Sequence, residues 1–207
     1  MILIDIDGID NVGKTYLVDF LELSLKKRYS VEKYTSIFSN IYNPNNFSEH
    51  EWFVKTPIIE QVSEIAKSYI ERYENIKHSS SEVLIFDRGI RTVRISLISR
   101  LICKGFPRKR AEKIIHELFT KNISIEPSFS IFICPKSLEE IQETVGDYRT
   151  DYLKYQEIFF ENMYLKEKQA YEVLSIVAYQ NLDQYYDSIL KKIKSVSGCE
   201  NGAILRS

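Results

Sequence analysis

Gly8, Gly13, Lys14 and Thr15 stand in the order G-x-x-x-x-G-K-T, inside the stretch GIDNVGKT that follows the apolar run MILIDI. Each residue type has a chemical reason to be there. Glycines let the main chain wrap a phosphate with its amides pointing inward, and a helix opening at Lys14 adds the positive end of its dipole to the same spot. A lysine behind the second glycine reaches the β- and γ-phosphates of a nucleoside triphosphate, and the threonine hydroxyl is placed to hold Mg2+. The chain has only seven glycines, and a third, Gly89, closes a second stretch, EVLIFDRG. There a buried strand ends in Asp87, followed by Arg88. An acid at a strand end beside a phosphate loop is placed to organise Mg2+ or to take a proton from an acceptor, although Asp at a strand-to-helix turn also caps helices. Switch GTPases share the loop but need N-K-x-D to recognise guanine, and the chain contains none.

These groups need elements to carry them. Apolar runs at 2–6, 31–35, 82–87, 129–134 and 173–179 predict strands. Apolar spacing of three and four predicts helices over 14–28, 57–78, 90–104, 107–121, 151–172 and 183–194, and Ile58, Val62, Ile65, Tyr69 and Tyr73 mark one face of the second. The alternation predicts an α/β fold with a mostly parallel sheet of five strands and helices on both faces. Ligands of such sheets bind at the carboxyl ends of the strands. Residues 36–50, rich in Asn and Ser, predict a long loop.

Composition narrows the classes further. At 207 residues the length fits one domain, expected over 1–196 with a flexible tail at 197–207. A net charge of -1, from 28 basic and 29 acidic residues, gives no global attraction to nucleic acid or anionic lipid, so phosphate binding has to be local. Cys103, Cys134 and Cys199 form no CxxC spacing, which points to a reducing compartment without structural zinc. The N-terminus lacks a signal-peptide pattern, and no apolar run approaches the roughly 20 residues of a membrane span. The expectation is a cytoplasmic protein with no membrane partner.

Taken together, MILIDIDGIDNVGKTYLVDFLELSLKKR and EVLIFDRG resemble the thymidylate kinases and their nucleotide- and nucleoside-kinase relatives. The likeness continues more weakly to the end of the chain. The family's strand leads into E-G-I-D-G-x-G-K-T, where this chain has Asp7 through Thr15. The resemblance implies a three-layer P-loop kinase fold with a short lid at about 136–155, ATP and Mg2+ as cofactors, and a homodimer. It places Gly8, Asn11, Val12, Gly13, Lys14, Thr15 and Tyr16 around the ATP phosphates, and Thr15 and Asp87 at the metal. It makes Lys14, Asp87, Arg88 and Arg149 the catalytic set, and sets Asp10 against the acceptor sugar's 3′-hydroxyl. Arg149, in GDYRTDY, is the only arginine of the lid segment and would close over the triphosphate, with Lys136 and Lys154 as lesser candidates.

Departures from the family lie on the acceptor side. In place of T-R-E-P-G-G the chain has YTSIFSNIYNP, in place of A-D-R it has VSEIAKSYI, and DRGIRTVRISL keeps only the Thr92 hydroxyl of the family's S-x-x-A-Y-Q. No arginine occurs between Arg28 and Arg72. Burying a monophosphate without paired arginines is strongly unfavourable, which leaves two acceptors open. One is a nucleoside monophosphate gripped by Arg88, Arg91 and Arg94. The other is a neutral hydroxyl compound such as a nucleoside, with Asp87 or Asp7 as proton acceptor. Phe38, Tyr42, Phe47, Trp52 and Phe53 offer rings for a planar base, and Trp52 is the one chosen. Rival readings are a kinase for another small-molecule hydroxyl, one for a modified base in nucleic acid using the PRKR run at 107–110, and an ATP-binding module without turnover. The neutral net charge argues against nucleic acid.

Overall fold

A computed structural model describes residues 1–9, 12–35, 52, 55–120, 127–133, 150–162, 172–174, 187 and 189–195, the side chains of 120, 150–153 and 172–174 excepted. The expected loop at 36–50, Asp10, Asn11 and the lid up to residue 149 lie outside the described residues. Strands β1 (Ile2–Asp7), β2 (Val31–Tyr34), β3 (Val83–Asp87), β4 (Phe129–Ile133) and β5 (Glu172–Leu174) form one sheet, ordered β2-β3-β1-β4-β5, with every neighbouring pair parallel. Four strands carry the bulk of the ladders. The fifth is a three-residue edge that pairs with Ile131–Ile133, where the apolar run predicted 173–179.

Helices α1 (Lys14–Leu25), α2 (Ile58–Ile76), α3 (Ile90–Cys103), α4 (Arg108–Thr120) and α5 (Thr150–Glu161) follow in chain order, and residues 189–195, here α6, are also helical. The helix expected over 151–172 is described only to 162. Where α3 ends, Gly105 takes φ 89 and the Phe106 amide reaches back to the Leu101 carbonyl at 3.0 Å. This left-handed glycine cap lets Pro107 start α4 at once.

Strand alternation divides the interior into two cores, one on each face. Ile2, Ile4 and Ile6 of β1 and Val83 and Ile85 of β3 meet Leu17, Val18, Leu21 and Leu25 of α1 and Ile189, Leu190 and Ile193 of α6. On the opposite face Leu3, Leu84 and Phe86 meet Val62, Ile65, Tyr69 and Tyr73 of α2 and Val93, Leu97 and Leu101 of α3. The chain leaves β1 toward α1 on one face and leaves β3 toward α3 on the other. Because β1 and β3 are neighbours, a crevice opens outside their carboxyl ends, where parallel sheets receive ligands.

Helices α3 and α5 join through polar side chains. The Ser96 and Tyr155 hydroxyls are 2.7 Å apart, Asn162 Nδ2 donates to Ser99 Oγ at 2.9 Å, and Arg108 Nη1 donates to Asn162 Oδ1 at 2.6 Å. The Arg100 guanidinium lies 4.6 Å from the Tyr155 ring centre and donates to Gln61 Oε1 of α2 at 3.4 Å. The PRKR run thus opens α4, and its first arginine fastens the end of α5.

Candidate active site

The loop between β1 and α1 needs glycine at its first bend. Gly8 has φ 144, and a Cβ there would lie 2.6 Å from the Ile133 carbonyl oxygen at the end of β4. At the far end Gly13 caps α1 with φ 88 and offers no side-chain hydrogen bond to the first turn, which also contains no acid. With no side-chain cap and no acid in its first turn, α1 presents the positive end of its dipole to this loop, an arrangement that favours an anion. Lys14 is 5% exposed, and its ammonium folds across the loop to donate to the Ile9 carbonyl. Val12 and Gly13 are half-buried, and Tyr16 is exposed.

Two side chains join this loop to β3. Thr15 Oγ1 donates to Asp87 Oδ2 at 2.7 Å, across 72 residues of sequence. Asp87 is 2% exposed, yet its Oδ1 is buried and accepts no hydrogen bond among the described residues. An orphaned carboxylate oxygen beside a threonine hydroxyl is an oxygen donor pair of the kind Mg2+ prefers. Among the described residues no group of three or more His, Cys, Asp or Glu could hold a metal. A phosphate-bound Mg2+ needs no such cage, since it takes few protein ligands.

Behind Asp87 the chain turns sharply. Arg88 adopts φ 73, a left-handed conformation that costs a non-glycine residue on the order of 1 kcal/mol or more. Strand β1 holds the turn at successive residues. The Arg88 amide donates to the Ile6 carbonyl at 3.0 Å and the Gly89 amide to Asp7 Oδ1 at 2.8 Å. A Cβ on Gly89 would lie 1.9 Å from Asp5 Oδ2, so no side chain fits there. Burial raises the Asp7 carboxyl above its ordinary value, against hydrogen bonds from Thr92 and Gly89 and the charges of Lys14 and Arg91.

Arg72 is a residue that sequence reasoning missed. It sits on α2, 6% exposed, and brings its guanidinium to the carboxyl ends of β2 and β3, donating to the Thr35 carbonyl and, at 3.5 Å, to the Asp87 carbonyl. The rings of Phe86, Tyr69 and Tyr34 surround it, with centres at 5.2, 5.7 and 6.0 Å. Burial lowers its pKa, while the carboxylates of Asp87 and Asp5 counter that shift. Burial, followed by Glu32, pushes the neighbouring Tyr34 phenol up to about 12, which keeps that ring neutral beside the cation. Arg72, Lys33, Tyr34, Thr35 and Lys67 line a cleft of about 550 Å³ between β2 and α2. The clue in the sequence was a cation set among Tyr69, Tyr73 and Ile76, on the face of α2 that its apolar spacing marks as buried.

Of the other expected site residues, Thr92 is fully buried and serves the scaffold, accepting from the Gly8 amide at 3.4 Å and donating to Asp7. Trp52 departs from its expected role as a base platform. At 8% exposure it belongs to the core cluster with Val62, Ile65 and Tyr69, because an indole gains more by leaving water than by standing at a polar mouth. Arg88, Arg91 and Arg94 are half-buried at the start of α3, and Lys154 is exposed. Asp10, Asn11, Lys136 and Arg149 lie outside the described residues.

No family model matches the sequence, and no curated protein matches it. Solved structures do match it in fold. Thymidylate kinase from Candida albicans is 18% identical with a TM-score of 0.62, over 93% of this chain and 91% of that one. Thymidylate kinase from Ehrlichia chaffeensis is 16% identical with a TM-score of 0.58, over 92% and 98%. Deoxyadenosine kinase from M. mycoides, solved with bound dATP, is 14% identical with a TM-score of 0.65, over 93% and 100%. The chain has a thymidylate kinase-like P-loop kinase fold, three-layered, with a parallel sheet between helices.

Proposed function

We propose that this chain transfers the terminal phosphoryl group of ATP to a nucleotide or nucleoside acceptor. The observation that carries the reading is the 2.7 Å bond from Thr15 to Asp87, which brings the helix opening behind the glycine loop against the acid ending β3. Around that bond the α1 amides and Lys14 would bind the triphosphate, and Thr15 and Asp87 would hold Mg2+. The metal, when bound, supplies charge neutralisation between phosphate oxygens. Arg88, directly behind Asp87 and half-buried, would stabilise charge on the migrating group. Asp10 at the acceptor and Arg149 in a closing lid complete the set by resemblance.

On the acceptor side the charges favour a neutral hydroxyl compound over a monophosphate. Arg72 is tied to two carbonyls and stands near Asp5 and Asp87, and Arg91 stands near Asp7. Cations already balanced by strand carboxylates give a second phosphate little to bind. The solved neighbours act on both kinds of acceptor by their names, a nucleotide for the thymidylate kinases and a nucleoside for the deoxyadenosine kinase. The full proposal has one kinase domain over 1–196 acting in the cytoplasm as a homodimer, an assembly that sedimentation velocity tests.

The deciding experiment measures ADP formation by purified protein, with Mg2+ and ATP, across a panel of nucleosides and their monophosphates. Acceptor-stimulated turnover with a nucleoside is expected. Tight ATP binding with no stimulation by any acceptor returns the chain to a binding module, and stimulation by monophosphates alone overturns the neutral-acceptor reading.

A further inference from the structure

The acids of β1 occupy an unusual place. Strand β1 is buried along its whole length, and two of its six residues are nonetheless aspartates on the Leu3 face of the sheet. Asp5 is 1% exposed and Asp7 0%. Burying a carboxylate is expensive unless the surroundings use it. Both act on one residue of another element, Gly89, which lies more than 80 positions away in sequence. Asp7 Oδ1 receives the Gly89 amide at 2.8 Å, and Asp5 Oδ2 fills the space where a side chain on Gly89 would stand. Directly before Gly89 comes the one described non-glycine residue with positive φ, Arg88. A residue in such a conformation persists only where its neighbours over-determine it.

We infer that Asp7 is a positioning residue for Arg88, its carboxyl oxygen holding the Gly89 amide so that the Arg88 backbone stays in its left-handed turn, the fixed base from which its side chain starts. Asp7 touches neither phosphate nor acceptor in this role. It acts as an acceptor of a main-chain hydrogen bond, for which an amide oxygen serves as well as a carboxylate. Thr92 extends the same contact to the glycine loop, since its hydroxyl bonds both Asp7 and the Gly8 amide. The loop and the arginine are thereby held in one frame.

The inference rests on the proposed kinase activity, and its test has one arm that does not. Arg-Gly occurs once in the chain, at 88–89, so carbonyl-13C arginine with 15N glycine labels the Gly89 amide alone in an NMR spectrum. In Asp7→Ala that amide proton is expected to move upfield and lose exchange protection, and in Asp7→Asn to keep both. In turnover assays Asp7→Ala should lower kcat roughly 10²-fold, the scale of a small misplacement of a catalytic group, with a much smaller change in the KM for ATP. Asp7→Asn should restore kcat to within a few-fold of the parent. In an Arg88→Ala background the effect of Asp7→Ala should largely vanish, because the two act as a unit.

If Asp7→Asn is as inactive as Asp7→Ala while the Gly89 signal stays in place, Asp7 does acid chemistry and the inference is wrong. Additive losses with Arg88→Ala overturn it equally. Should Asp7→Ala not fold, the milder Asp7→Asn decides alone, since loss of its turnover or of its Gly89 signal contradicts the role assigned. If the parent itself transfers no phosphoryl group to any acceptor, the kinase reading falls, and the Gly89 signal still reports whether Asp7 holds the turn.

Discussion

The proposed donor half of the crevice comes from the run Gly8 to Thr15 joined to Asp87 at the end of β3, whereas the proposed acceptor half is assembled from β2, α2 and the turn after β3. Both halves use buried polar groups, but they satisfy them differently. On the donor side α1 has no side-chain cap, and Asp87 Oδ1 accepts no hydrogen bond among the described residues, an oxygen left to a ligand. On the acceptor side the Arg72 cation meets main-chain carbonyls and aromatic rings, whereas Asp7 of β1 is only half met, its Oδ1 taking the Gly89 amide and its Oδ2 accepting no hydrogen bond among the described residues. A carboxylate oxygen of Asp87 that waits for charge stands near a cation, Arg72, that has already settled its own. That contrast is why triphosphate binding is the firmer part of the functional reading.

The strongest way to break the contrast is to remove the donor-side cation. Lys14→Ala should lower phosphoryl transfer by roughly 10²–10³-fold, the scale of losing one preorganised partner of a developing charge, with an unchanged thermal melt. Parent-like turnover would mean that the loop does not bind the reacting triphosphate. Asp87→Asn should follow with a loss of about 10²-fold and a higher Mg2+ requirement, read from a metal titration of the rate. Removing the acceptor-side cation should instead be felt as folding. Arg72→Met leaves the Thr35 and Asp87 carbonyls unmet and should cost about 1–3 kcal/mol in denaturant unfolding while ATP affinity holds. A large loss of acceptor affinity at unchanged stability would show that Arg72 grips the acceptor and that the contrast is misplaced.

The smallest expected effect concerns the charge of Asp7. Burial raises its folded-state pKa above the ordinary 3.8, so between those two values the folded protein holds a proton that the unfolded chain releases. Stability therefore falls as pH rises through that window. Asp7→Asn, which has no charge to bury, should melt level with the parent near pH 3.8, gain an advantage as pH rises, and keep it above the folded-state pKa. An advantage that shrinks with rising pH would contradict the shift.

The donor half was legible in sequence because its residues are neighbours. Gly8, Gly13, Lys14 and Thr15 stand in a fixed spacing, and the strand and helix around them have clear apolar periods. Asp87 was legible for a related reason, as a polar end to an apolar run. The acceptor half was not, since Arg72 meets Thr35 only when α2 folds back along β2, a contact that no local pattern encodes. Trp52 shows the limit of local pattern too, since a large ring near a predicted loop suggests a ligand platform, while its packing against Val62, Ile65 and Tyr69 depends on where α2 folds. The sheet was predicted in class, and of the strand expected at 173–179 the described pairing covers Glu172–Leu174. Arg88 is the reverse case. Its residue type was visible in the sequence and its left-handed backbone was not, because the cause lies on β1.

The polar seam between α3 and α5 sets how the two helices can lie along each other. Apolar helix faces can slide past one another at small cost, but hydroxyl, amide and guanidinium partners at Ser96, Ser99 and Arg108 match Tyr155 and Asn162 in one axial register only. A slip by a single turn would break these bonds together. The stretch of α5 from Tyr155 to Asn162 is thus locked lengthwise against α3 and the first turn of α4, like a key cut for one depth.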